Sequence, residues 1–173
     1  IYLMFKAIIL AAGRGSRMGD MTSLMPKCRT LFKGKELIEW QIESLNNKFI
    51  DELAIVTGYL SETFDFKVCY FENKNWQNTN MVFSLICAKN WLNKYNCIIS
   101  YSDIVYSPDA VERLIKKRGD IVIAYDPHWR ELWEMRFKHP LLDAETFRLE
   151  KDNLIDIGNK TDNIDEIEGQ YMG

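Results

Sequence analysis

Between Arg14 and Lys35 stand six basic residues and one acid, Asp20, a local balance of +5 in a chain whose formal charge is −3. The rest of the sequence therefore carries −8. The basic stretch opens with Leu10-Ala11-Ala12-Gly13-Arg14-Gly15-Ser16-Arg17 and has Pro26-Lys27 behind it. Small residues let backbone N–H groups close around an anion, since glycine lacks a Cβ and accepts positive φ. Arg14, Arg17 and Lys27 add charge to the same place. Such a loop suits a small polyanion, a nucleoside triphosphate for example, better than the broad basic surface that nucleic acid needs. For a lone Gly-x-Gly an ordinary strand-to-helix turn would be the better reading; the local charge decides against it.

Two other phosphate loops fit poorly. A dinucleotide fingerprint needs Gly or Ala where Met18 stands, and an acid about 20 residues on, at the end of a second strand. A P-loop needs Gly-Lys-Ser/Thr, which the sequence lacks. A second candidate for chemistry is Asp103, which follows the apolar run Cys97 to Ser100. A carboxylate at the carboxyl end of a buried strand, facing a phosphate loop, is placed to hold Mg²⁺ on a triphosphate. An Asp there is also a common turn former. The four cysteines (Cys28, Cys69, Cys87, Cys97) have no zinc spacing and read as reduced thiols of a cytoplasmic protein. His128 and His139 lack ligand-like companions and read as structural.

These residues need a frame, and the chain supplies alternating strand and helix signals. Phe5 to Leu10 is nearly continuous in apolar residues, as a strand buried on both faces should be. Ile38, Ile42, Leu45 and Phe49 recur at helical spacing. Leu53 to Thr57 reads as a strand ending at Gly58-Tyr59, and Phe66 to Phe71 as another. An Asn-rich connector, Asn73 to Asn80, leads to a helix with Met81, Leu85, Ala88 and Leu92 on one face. Ser107-Pro108 starts a helix, with a capping hydroxyl before proline at its first position. Ile121 to Tyr125 reads as the next strand. Glu145 to Leu149, Leu154 to Ile157 and Ile167 to Met172 read as an antiparallel layer. The expected fold is α/β, a doubly wound, mostly parallel sheet whose ligand crevice lies outside the carboxyl ends of the strands. At 173 residues the expectation is one domain, with a nucleotide-binding half at 1–126 and an acceptor-binding half at 127–173. No run reaches the ~20 apolar residues of a membrane span. Lys6 and the early glycine loop argue against a signal peptide.

The pattern Leu-Ala-Ala-Gly-x-Gly-Ser-Arg followed by Pro-Lys resembles the nucleotidyltransferase family, which joins a nucleoside triphosphate to a small phosphorylated substrate and releases pyrophosphate. Asn80 with Ser84-Leu85, and Ser102-Asp103, look like those of its small-molecule cytidylyltransferases. Trp129, Trp133 and Arg136, with Asp143-Ala144-Glu145, Ile157 to Lys160 and Glu166 to Gly173, look like the acceptor half of the phosphocholine- and phosphoglutamine-activating members. The resemblance implies a Rossmann-like fold, CTP and Mg²⁺ as ligands, and service in capsule or surface-polysaccharide precursor synthesis. It places the nucleotide on Leu10, Ala11, Ala12, Gly13, Gly15, Ser16, Gly58, Tyr59, Asn80 and Ser84. Arg17 would grip the β- and γ-phosphates, Lys27 the α-phosphate, and Asp103 the metal. Trp129, Trp133, Arg136, Lys160 and Glu168 would meet the acceptor, the tryptophans as a cage for a cationic group. The acceptor roles have bland alternatives: core tryptophans, a surface lysine and a strand-edge acid. A second metal-binding Asp is implied late in the chain, yet none follows Asp165, so a truncated C-terminus is the expectation; Ile1 to Leu3 read as preceding a natural start at Met4. Sugar-phosphate transfer from UTP or dTTP, and a non-catalytic nucleotide-binding relative, remain the alternatives.

Overall fold

The computed structural model describes residues 4–15, 19 and 22–173. They fall into two compact units, Ile1–Lys116 and Lys117–Gly173.

The first unit is built on β1 (Phe5–Leu10), whose neighbours are β4 (Ile50–Thr57) and β6 (Asn96–Tyr101), both parallel to it. β5 (Cys69–Glu72) extends the sheet on the far side of β4, giving the order β5-β4-β1-β6. Alternate residues of β1 serve opposite faces, as the period of two requires. Ala7 and Ile9 pack with Ile55 and Ile98 against Ile38, Leu45 and Val111. Those three belong to α1 (Leu37–Leu45) and α4 (Pro108–Lys116). Ile8 and Val56 face the other way, towards Ala88 and Leu85. The sheet is thus wound on both faces. Its order reverses between β1 and β6, the place where ligands of such sheets collect.

Local signals explain most of the boundaries. α1 starts in a capping box, Glu39 Oε2 accepting from Glu36 N at 2.8 Å. At α4, Ser107 Oγ accepts from Ala110 N at 3.3 Å. A short hairpin that periodicity does not announce, β2 (Leu31–Phe32) and β3 (Lys35–Glu36), turns through Lys33 and Gly34, both at positive φ. The single helix expected after Asn80 is two pieces, α2 (Met81–Cys87) and α3 (Lys89–Leu92). The chain breaks at Ala88, which is fully buried against the sheet. Lys6, which interrupts the apolar run of β1, is itself buried and is charge-compensated. Its ammonium donates to Asp51 at 2.7 Å and to Glu52, and lies 4.9 Å from the Tyr95 ring. Both ion pairs push the Lys6 pKa further up.

In the second unit, β7 (Tyr125–Asp126) pairs antiparallel with β10 (Gln170–Tyr171), and β8 (Phe147–Glu150) with β9 (Asn153–Ile157). α5 (Trp129–Arg136) buries Trp129 with Ala144 and Ile167. The strand expected over Ile121 to Tyr125 does not form. Residues 121–124 are irregular, Ile121 is 89% exposed, and only Tyr125 enters a strand, an antiparallel one. An apolar run announces burial only where a partner surface meets it, and Ile121 stays exposed. No helix among the described residues is long and apolar enough to cross a membrane.

Candidate active site

Register decides which loops meet. Leu10 stands opposite Val56 on one side and Tyr101 on the other, so β1, β4 and β6 end at one level. The glycine loop, Gly58-Tyr59 and Ser102-Asp103 therefore leave the same edge of the sheet. The glycine loop and Ser102-Asp103 border a crevice of about 340 Å³, whereas Gly58 and Tyr59 pack against the loop and are not part of the crevice lining. Leu10 at the end of β1 and Ala12, Gly13 and Gly15 after it are in that lining, as are Asn80 and Ser84 at the start of α2, and Lys27, Ser102 and Asp103. Ala11 is buried behind this lining. Ser16 and Arg17 lie outside the described residues.

Close approaches shape the loop. Gly15 holds φ +71°, and a Cβ there would sit 2.8 Å from Lys27 Cβ. Only glycine permits both the turn and the contact that brings Lys27 into the crevice. Gly58 is similarly confined, a Cβ meeting the Ala12 carbonyl oxygen at 2.7 Å and Trp76 Cβ at 2.8 Å. Tyr59 ties the loop at both ends. Its backbone N–H donates to the Ala12 carbonyl at 2.9 Å. Its hydroxyl lies 2.9 Å from the Thr22 carbonyl oxygen and 2.8 Å from that of Ser23. Arg14 places its guanidinium 5.7 Å from the Tyr59 ring. Tyr59 is thus a clamp on the loop, with its own ring edge-on to Trp76 at 5.2 Å.

Lys27 Nζ donates to Asp103 Oδ2, and each side chain keeps about a third of its surface exposed (34% and 31%). The pair joins the 3₁₀ turn Lys27–Arg29 to the end of β6. Among the described residues no three His, Cys, Asp or Glu side chains gather as a metal cage. One carboxylate beside open space is nevertheless a donor set that Mg²⁺ accepts when phosphate oxygens fill its other positions.

Asn80 caps α2, its Oδ1 accepting from Phe83 N at 3.1 Å. Ser84 is buried and accepts from Asn73 Nδ2 at 3.0 Å. Asn73, itself buried, also donates to Thr79 Oγ1 at 2.9 Å and so sets the course of the Asn-rich connector. Asn73 and Tyr59's clamping role have no motif to announce them.

In the second unit Trp129 is core, its indole N–H donating to the Ile167 carbonyl at 3.1 Å. Trp133 is half-buried, donates to Asp143 Oδ2 at 3.0 Å, and carries Arg136 over its ring at 5.3 Å. Lys160 donates to the carbonyls of Leu142 and Asp143 at 3.2 and 3.1 Å. Glu168 accepts from Leu149 N. Trp129 and Trp133 meet edge to face at 6.1 Å, whereas Lys160 and Glu168 sit on different loops of the unit.

A glycine loop and an acid at the switch point of a doubly wound sheet agree with the matched family model, the MobA-like NTP transferase domain, over residues 7–152. The chain belongs to that family. Within it, the chain is 41% identical to the CTP:phosphoglutamine cytidylyltransferase of Campylobacter jejuni, across 96% of this chain and 70% of that protein. It is 42% identical to the choline-phosphate cytidylyltransferase of Streptococcus pneumoniae across 50% of this chain, spanning 40% of that protein's length. In three dimensions it matches the CTP:phosphocholine cytidylyltransferase from Streptococcus pneumoniae with a TM-score of 0.67 at 24% identity. That match covers 98% of this chain and 67% of the other, and it establishes the nucleotidyltransferase fold.

Proposed function

We propose that the protein is a cytidylyltransferase that joins CTP to a small phosphorylated acceptor of the phosphoglutamine or phosphocholine class, releasing pyrophosphate. The observation that carries this reading is the meeting of Lys27 and Asp103 beside the glycine loop, at the switch point of the sheet. The names of the relatives supply the base and the acceptor class. An acceptor phosphate oxygen attacks the α-phosphorus, forming an O–P bond as the α-phosphorus bond to the bridging oxygen breaks and pyrophosphate leaves in line. Little covalent work falls to the protein; positioning and charge neutralisation do most of it.

The loop backbone from Ala11 to Ser16 holds the nucleotide beside Leu10, Asn80 and Ser84, with Gly58 and Tyr59 packed against the loop. Lys27 meets the α-phosphate, where negative charge moves in the transition state, and Arg17 grips the β- and γ-phosphates by its forked donors. Asp103 would hold Mg²⁺, whose charge would offset that of the triphosphate. For the acceptor, the Trp133–Arg136 stack offers an aromatic and cationic surface with Trp129 packed behind it, and Lys160 and Glu168 offer one charge of each sign. The setting is the cytoplasm, in the supply of a precursor for capsule or other surface polysaccharide.

Pyrophosphate release from each of the four NTPs, with phosphoglutamine, phosphocholine or a sugar 1-phosphate as acceptor, tests the proposal. Turnover should require CTP and one of the first two acceptors. Turnover with UTP or dTTP and a sugar phosphate, or binding of CTP with no turnover under any pairing, would overturn it.

A further inference from the structure

Gln41 and Ser44 are the two polar residues on the buried face of α1, beside Ile38 and Leu45, and Gln41 is fully buried. Its Nε2 donates to the Tyr101 carbonyl at 2.8 Å and to the Ile104 carbonyl at 2.6 Å. Those carbonyls bracket Ser102 and Asp103. Its own Oε1 is buried with no hydrogen-bond partner. An apolar side chain would fill the site and remove the unpaired Oε1, but it would take a donor from both carbonyls; that of Tyr101 also accepts from Ser100 Oγ at 3.1 Å. What the amide supplies is a pair of donors in fixed geometry, both directed at the loop that carries Asp103.

One helical turn on, Ser44 Oγ donates to the Tyr106 carbonyl at 2.6 Å. The same helix therefore holds the same loop at a second point, outside the Ser102–Asp103 bracket. This gives an internal control.

We propose that Gln41 is a positioning residue for the metal-binding carboxylate: by holding the backbone on both sides of Asp103 it sets where that carboxylate meets Mg²⁺ in the nucleotide complex. The inference rests on the role given to Asp103 above. Residues that orient a metal ligand without touching the metal commonly carry about 10–100-fold of its affinity.

The test compares CTP affinity by calorimetry in saturating Mg²⁺ and in EDTA, for the unaltered protein and for Gln41→Met, Ser44→Ala and Asp103→Asn. Gln41→Met, close in length and without donors, should lose about 10–100-fold of the Mg²⁺-dependent gain in affinity while its affinity in EDTA stays at the unaltered level. Asp103→Asn should abolish the gain. Ser44→Ala, which also releases the loop at one point, should keep it. If Gln41→Met does not fold, judged by its melting transition, Gln41→Asn carries the same comparison, its amide one methylene short of the two carbonyls. A full Mg²⁺-dependent gain in a folded Gln41 variant, or an equal loss in Ser44→Ala, would overturn the proposal. An unaltered protein with no Mg²⁺-dependent gain would instead show that the role given to Asp103 is mistaken, and the inference would fall with it.

Discussion

Lys27 and Asp103, 76 residues apart in sequence, neutralise each other in the crevice. In the nucleotide complex proposed above, both charges acquire other partners: the triphosphate for the lysine, Mg²⁺ for the aspartate. Binding is then an exchange of ion pairs, and each partner's removal should have its own signature. Because both groups remain partly exposed, water screens the pair and its loss should cost the fold little. Lys27→Ala should lower kcat/KM by at least ~100-fold, the scale of a lost donor to transition-state charge. Its melting temperature should stay near that of the parent, and Mn²⁺ binding to the nucleotide-free protein, followed by electron paramagnetic resonance, should strengthen because Asp103 is released. A Lys27→Ala protein that turns over normally would place the lysine outside the chemistry.

Nucleotide and metal together should stabilise the protein by mass action. At ~100 times Kd the gain is about 2.7 kcal/mol, visible as a rise in melting temperature with CTP and Mg²⁺. A rise with NAD(H) and none with CTP would revive the dinucleotide reading of the glycine loop.

The two glycines of the loop should respond differently to alanine. At Gly13 a Cβ would meet nothing within 4 Å. At Gly15 it would press on Lys27 and hold a side chain at φ +71°. Gly15→Ala should cost about 1–2 kcal/mol from backbone conformation alone, and it should weaken CTP binding by moving Lys27. Gly13→Ala meets no protein atom and should melt as the parent does without CTP, so that any effect falls on CTP binding, because Gly13 lines the crevice. Thermal melts with and without CTP compare the two directly.

Tyr59→Phe keeps the ring beside Arg14 and Trp76 and removes only the hydroxyl that meets Thr22 and Ser23. A neutral hydrogen bond is worth ~0.5–1.5 kcal/mol net, which corresponds to about a 2–10-fold rise in KM for CTP. Trypsin should also cut faster after Arg14 or Arg17 in the variant, with CTP restoring protection. Unchanged proteolysis would remove the tyrosine from its role as a clamp.

Burial pushes the Cys28 thiol up from its ordinary 9.0 to about 12, and the Tyr106 hydroxyl from 10.0 to about 12. Both groups ionise more readily in the unfolded chain. Their contribution to stability is therefore complete below pH 9 and is lost as pH rises from there through about 12. Urea midpoints should fall across this window, and fall less steeply in Cys28→Ala, whatever the variant's starting stability. Identical slopes would assign the alkaline loss to other groups.

Part of this architecture is written locally. The nearly unbroken apolar run of β1 can be stable only with both faces covered, so a central parallel strand is legible from residue types. Gly13 and Gly15 after it, and Ser107-Pro108 before α4, act over a few bonds and appear in the structure where their types place them. Asp103 at the end of β6 is legible in the same way. Other features arise from surfaces that only the folded chain brings together. Ile121 to Tyr125 has the composition of a strand, but strand formation needs a partner edge, and here just Tyr125–Asp126 finds one. Ala88 ends a helix that periodicity continues, because the sheet beneath it takes the contact. Trp129 has the residue type of a ligand cage and the burial of a core side chain. Gln41 looks like an ordinary helix residue until the fold sets it under two carbonyls some 60 positions away. Hydrogen bonds and ion pairs between distant segments leave no periodic trace in sequence, since each depends on register and helix docking rather than on neighbouring residues. That is why the glycine loop was legible in the sequence, while the partner of Lys27 and the support beneath Asp103 were decided by tertiary structure.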